Sequence, residues 1–164
     1  MPTNLNTCLA SLLLVLTANF LNLADADVVT DQSNEQGTIN FFVDDLQDLA
    51  QTFTVGIDGQ LTDVELFIGR NSQTVSDLIF DVRSVMGLAP SESDVGGNIL
   101  ASATIAANSV SVDGMFQVID ISDAGLNVSA GETLALTLRT EDQFGYRWLA
   151  TDTGEYTRGE SFSR

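Results

Sequence analysis

The chain has no histidine and no lysine, and its single cysteine, Cys8, lies near the N-terminus within an apolar stretch. Each absence excludes a chemistry. Beyond Cys8 there is no thiol, so the rest of the chain can form no disulfide, no thiolate metal site and no cysteine nucleophile. Without histidine, neither a Ser-His-Asp triad nor a Cys-His pair can be assembled. The same gap removes the usual zinc sites, since carboxylates alone seldom make one. No glycine-rich loop opens a helix to cradle phosphate; Gly96 and Gly97 read as a turn between strands.

Positive charge is also scarce. Six arginines face 23 acidic residues, for a formal net charge of −17. Nucleic acids and anionic membranes need a basic footprint, so neither is an expected partner. A strongly acidic surface suits solubility in saline surroundings.

At the N-terminus, residues 8–23 (CLASLLLVLTANFLNL) carry no charge, and Ala24-Asp25-Ala26 follows with small residues at the cleavage spacing. This pattern predicts a secretory signal over residues 1–26, cut after Ala26. The apolar run is about 16 residues and is interrupted by Thr17, Asn19 and Asn22, which is short for a membrane span. The expected protein is therefore exported, with no integral span in its mature part. Residues 27–37 read as a flexible leader and residues 38–164 as one domain. That length is enough for a single hydrophobic core without disulfides.

Within the domain, short segments of period two alternate with Gly, Asn, Asp and Ser, which predicts strands and turns. Strands are expected at 38–43, 50–55, 60–68, 77–85, 99–106, 115–121, 133–140 and 146–150. Val64, Leu66 and Ile68 share one face, opposite Asp63 and Glu65. Leu78, Phe80 and Val82 oppose Asp81 and Arg83, and Leu134, Leu136 and Leu138 oppose Thr137 and Arg139. One buried and one wet face is the habit of antiparallel sheets. Turns are expected at Asp58-Gly59, Gly96-Gly97, Asp113-Gly114 and Ala130-Gly131. Helical periodicity is confined to about one turn near residues 44–49. The fold class is all-β: a two-sheet antiparallel β-sandwich, jelly-roll-like, with a closed barrel as the alternative.

Five segments occur in an order that resembles a β-sandwich module of secreted bacterial proteins, of the kind often found before a Pro-Glu-Pro (exosortase-type) C-terminal sorting anchor. They are residues 49–69 (LAQTFTVGIDGQLTDVELFIG), 98–104 (NILASAT), 116–122 (FQVIDIS), 128–138 (VSAGETLALTL) and 146–159 (YRWLATDTGEYTRG). The resemblance implies an envelope or exopolysaccharide setting, with extracellular polysaccharide or envelope proteins as partners. The sequence has no Pro-Glu-Pro, so membrane sorting does not carry over. It also ends at Arg164, where similar proteins continue into at least one more strand, which leaves the module's last strand open.

Three sets of residues could carry function. Tyr146 and Trp148 lie two apart and project from one strand face, with Tyr156 after a turn at residues 152–154. Flat rings with polar rims suit stacking on a sugar, with Asp, Asn or Arg hydrogen-bonding alongside. The competing reading places them in the core, because the chain has one tryptophan and needs core volume. Phe53, Phe67, Phe80 and Phe116 read as core or near-core. Asp44, Asp45 and Asp48 form an acidic cluster, and residues 91–94 (SESD) a second acidic loop, where calcium could take oxygen ligands. Paired carboxylates, the third set, are the only remaining route to catalysis, as in glycoside hydrolysis, but none sits in a recognisable motif. Asn127-Val128-Ser129 matches a glycosylation acceptor, which in the bacteria that the resemblance implies is usually incidental.

The leading expectation is a non-catalytic extracellular binding or structural module. The alternatives are a calcium-assisted adhesion or matrix protein and a small carboxylate-dependent hydrolase.

Overall fold

A computed structural model of the chain describes residues 28–31, 39–85, 98–150 and 161–163. The expected signal at 1–26, most of the expected leader, the acidic loop at 91–94 and Tyr156 lie outside the described residues.

The expected strands form with shifts of up to three residues at their ends. They are β1 (Ile39–Val43), β2 (Leu49–Thr54), β4 (Asp63–Arg70), β5 (Leu78–Ser84), β6 (Ile99–Ile105), β7 (Met115–Asp120), β9 (Thr133–Arg139) and β10 (Tyr146–Ala150). Three shorter strands join them: β3 (Gly59–Gln60), β8 (Asn127–Val128) and β11 (Ser161–Ser163). The helical turn expected near residues 44–49 is a tight reversal instead, closed by a bridge between Asp44 and Gln47. Among the described residues the only helices are two 3₁₀ turns, Ala107–Ser109 and Ser122–Ala124. None is long and apolar enough to cross a membrane.

The strands build two antiparallel sheets. One has the order β1-β10-β4-β7 and the other β11-β2-β9-β5-β6, while β3 and β8 pair separately. With the eight longer strands counted in chain order, the first sheet reads 1-8-3-6 and the second 2-7-4-5. This is the double Greek key of a jelly roll. Every connection between these eight strands crosses from sheet to sheet except β5 to β6. As a result, four connections converge at one end of the roll: β1–β2, β4–β5, β6–β7 and β9–β10.

The core lies between the sheets and follows the period-two reading. Ile68, Leu78, Phe80, Val82 and Leu138 are fully buried, and Leu66 and Leu134 nearly so. Asp63 and Glu65 are exposed on the opposite side of β4, as the alternation requires.

The alternation places Thr137 and Asp81 on a wet face, and both are buried. Asp81 faces away from the core, on the side expected to be wet, yet it is completely buried. Partners hold the charge there. Arg83 Nη2 donates to Asp81 Oδ2 at 2.8 Å, Arg139 Nε lies 3.5 Å from the same oxygen, and the Ser102 hydroxyl donates to Oδ1 at 2.7 Å. A buried carboxylate persists only when ion pairs and hydrogen bonds replace its water.

The four-connection end is fastened by Asp142, which is also buried. Its Oδ2 accepts from the backbone N–H groups of Val75 and Ser76, at 2.7 and 2.8 Å, and its Oδ1 from Phe144 and Gly145, at 2.9 and 3.4 Å. Burial alone would raise its pKa. The four donors outweigh that and hold it at about 2. The carboxylate thus ties the β4–β5 connection to the β9–β10 connection. Gly145, in the left-handed region at φ +53°, is needed beside it, because a Cβ there would collide with the Val43 carbonyl.

Candidate functional site

The aromatic strand β10 resolves the two readings of its rings. Residues 146 and 148 share a face, and that face is the inner one. Tyr146 is 1% and Trp148 7% exposed, and both belong to the core cluster. The Tyr146 hydroxyl donates to the Ser76 carbonyl at 2.6 Å. Burial, with help from the nearby Asp77 and Asp142 charges, pushes its pKa up to about 12. A sugar-stacking platform at Tyr146 and Trp148 is therefore corrected to a packing role: neither ring offers a face to solvent. Tyr156, the third member of that expected site, lies outside the described residues.

The acidic trio does not converge either. Asp44 and Asp48 are half-buried and Asp45 is exposed. Asp44 Oδ1 is engaged locally, accepting from Leu46 N at 2.9 Å in the reversal after β1. Among the described residues no three acidic side chains come together as ligands for a metal ion. The calcium site expected at Asp44, Asp45 and Asp48 is thus not assembled there. One reason is local: the tight turn spends the Asp44 carboxylate on its own backbone.

Exposed aromatic surface appears instead on the outer face of the four-stranded sheet. Phe41 and Phe42 are adjacent on β1, so they must face opposite ways. Phe41 packs against the core, and Phe42 points outward, 56% exposed. On β7, Ile119 is buried, which turns Phe116 and Val118 outward at 43% and 56% exposure. Phe67 on β4 is the direct cross-strand partner of Phe116, and their rings meet edge to face with centroids 5.3 Å apart. Three strand spacings of about 4.8 Å separate Phe42 on β1 from Phe116 on β7 by about 14 Å across the sheet, and the register offsets them by two residues along it.

Arg147 lies between them. It is the cross-strand partner of both Phe42 and Gly69. Its guanidinium passes over Gly69, where an added Cβ would come within 3.0 Å of Nη2, and donates to the Val112 carbonyl. Glycine at 69 thus lets the arginine lie flat against the sheet. Acidic residues border the patch: Glu65 is opposite Val118, and Asp63 is opposite Asp120. Hydrogen bonds from the hydroxyl and N–H of Ser122 keep the Asp120 pKa below the ordinary carboxylate value.

Phe67 and Phe116 read as core or near-core in the sequence, and both lie on the outside, Phe67 half-buried and Phe116 exposed. The signal was present. Phe116 and Val118 are spaced by two with Asp120, so a face that ends on an acid carried both.

Searched against known proteins, the chain matches no protein-family model, no curated protein and no solved structure.

Proposed function

We propose that this chain is a non-catalytic extracellular binding module of the cell envelope or exopolysaccharide, contacting its partner through the outer face of the four-stranded sheet. One observation carries the reading. Phe42, Phe116 and Val118 stand exposed on one sheet face, which also carries the half-buried Phe67 and Leu149 beside the polar Asn40, Glu65 and Arg147. Isolated exposed apolar residues need no explanation, but several gathered on one sheet face mark an interaction surface. Arg147 and the bordering carboxylates supply hydrogen-bonding groups at its centre and rim.

The chemistry narrows the partner to a neutral glycan. Phenylalanine rings stack on the apolar faces of sugars. A net charge of −17 repels polyanions, so acidic polysaccharides are disfavoured. The export signal expected at residues 1–26 supports a location outside the cell. Lack of histidine and of thiols in the mature chain underlies the non-catalytic part of the reading.

A second reading uses the same face for a protein partner. It is favoured by the side chains themselves, since Phe42, Phe116 and Val118 offer no hydrogen-bonding group. A glycan array probed with wild type and with Phe42→Ala/Phe116→Ala, with and without chelator, separates the two. Neutral glycan signals that vanish in the double variant and ignore the chelator support the proposal. Binding only to anionic glycans, or signals untouched by the double variant, would overturn it. Loss of binding with chelator would favour the calcium-assisted adhesion alternative.

A further inference from the structure

The four-connection end of the roll carries a depression of about 390 Å³ that the aromatic face does not include. Arg70 at the end of β4, Thr74, Val75 and Asp77 of the β4–β5 connection, and residues 106–108 after β6 line it. Its walls are braced from behind. Asp142 fixes the backbone of Val75, and the Thr74 hydroxyl donates to the Gly145 carbonyl at 2.6 Å. Asp77 Oδ1 accepts from Ala107 N at 3.0 Å, joining the two walls, and Arg70 Nε donates to the Val110 carbonyl at 2.9 Å. A depression held by that many bonds is pre-organised, which lowers the ordering cost of binding.

Its lining is mixed in a specific way. Arg70 and Asp77 both line it, yet they form no ion pair with each other. Each guanidinium and carboxylate has more capacity than these bonds use: Arg70 Nε and Nη1 are spent on carbonyls, and Asp77 Oδ1 on Ala107. Asn108 is exposed and adds a donor and an acceptor, while Val75, Ala106 and Ala107 supply apolar surface. Charges of both signs disfavour a simple anion or cation. Donors, acceptors and small apolar patches together match a ring of hydroxyls with C–H faces.

We infer that this depression binds a single neutral sugar residue, separately from the aromatic face. The choice of ligand class rests on the glycan reading above; the site itself rests on the geometry. A volume of about 390 Å³ falls at the small end of ligand sites, which suits one monosaccharide unit better than a chain.

The test is amide-resolved NMR of the purified protein, titrated with methyl glycosides of glucose, galactose, mannose and N-acetylglucosamine, and with glycine as a zwitterion control. At least one glycoside is expected to bind with an affinity on the order of millimolar, shifting amides in 70–77 and 106–108. Asn108→Trp fills the depression from an exposed position and should weaken binding roughly tenfold without lowering the melting temperature. Asp77→Asn keeps an acceptor for Ala107 N and should weaken it similarly. Phe116→Ala should leave it unchanged. Shifts with glycine and with no glycoside would overturn the proposal in favour of a zwitterion site. Silence from every probe, or binding lost in Phe116→Ala but kept in Asn108→Trp, would also overturn it. Because the array reads the face and the titration reads the depression, either can fail while the other stands.

Discussion

The two outer faces of the sandwich invert each other. On the four-stranded sheet, phenylalanines and a valine stand in water. On the five-stranded sheet, the outward residues Ala50, Thr52, Ala135 and Thr137 are buried, and so is the charged Asp81. Both depart from the simple rule of apolar inside and polar outside, but for different reasons. The buried aspartate is fully engaged by Arg83, Arg139 and Ser102, so its position is explained within the fold. Phe116 meets only the half-buried Phe67 edge to face and Phe42 lies across from Arg147, contacts that leave both rings open to solvent, so the fold alone does not explain them. A violation satisfied internally points to architecture, and one left open to solvent points to a partner.

The inner face sets the scale for testing this contrast. Trp148→Ala should cost about 3–5 kcal/mol, the usual penalty for emptying a buried aromatic site, read as a fall in the denaturant midpoint. Trp148 is the only tryptophan, so emission should be blue-shifted and resist iodide in the native protein. Red-shifted, quenchable emission would return this ring to the surface.

Asp81→Ala should be next, at about 3 kcal/mol, because it strips a buried ion-pair network of its acid. If the outer face of the five-stranded sheet were an ordinary wet surface, the same change would cost under about 1 kcal/mol. Urea melts of this one variant therefore break or keep the comparison.

Asp142 links the two sheets at the loop end, and its effect should be smaller and pH-dependent. Asp142→Asn weakens charge-assisted bonds to four N–H groups and should cost about 2 kcal/mol near neutral pH. The sign follows from its depressed pKa. The charge stabilises the fold fully above the unfolded value of 3.8 and loses that effect as pH falls toward about 2. The gap between wild type and variant should accordingly close over that interval in melts at successive pH values. A gap that stays constant would assign the loss to shape and not to charge.

Phe116→Ala should change stability least, by under about 1 kcal/mol, since the ring is already half in water. Calorimetric melting is enough to check it. A loss comparable to that of Trp148→Ala would make Phe116 part of the structure and remove the contrast between the two outer faces.

Period two made most of the roll legible. The inward sets on β4, β5 and β9 were readable because successive strand residues alternate faces whatever the surroundings. The sandwich class followed from the number of such segments and the lack of helical crossovers. Strands β3, β8 and β11 were not legible, since two or three residues carry no period. At the site, the sequence pointed to Tyr146 and Trp148 as the rings to examine, and one of its two readings of them was the right one. It read Phe116 as core or near-core and did not single out Phe42 or Val118, because exposure depends on which face the other sheet covers.

By itself, then, the sequence determined which residues share a face, the all-β class, and the absence of histidine chemistry and, beyond Cys8, of thiol chemistry. Those properties depend only on neighbours along the chain or on composition. Tertiary structure alone decided which faces meet water and which strands lie side by side. Asp81 is buried through partners at positions 83, 102 and 139, and Phe67 meets Phe116 across nearly fifty residues. Burial is a property of what the rest of the chain brings to a site, and a jelly roll, which crosses between sheets at almost every turn, brings it from far away.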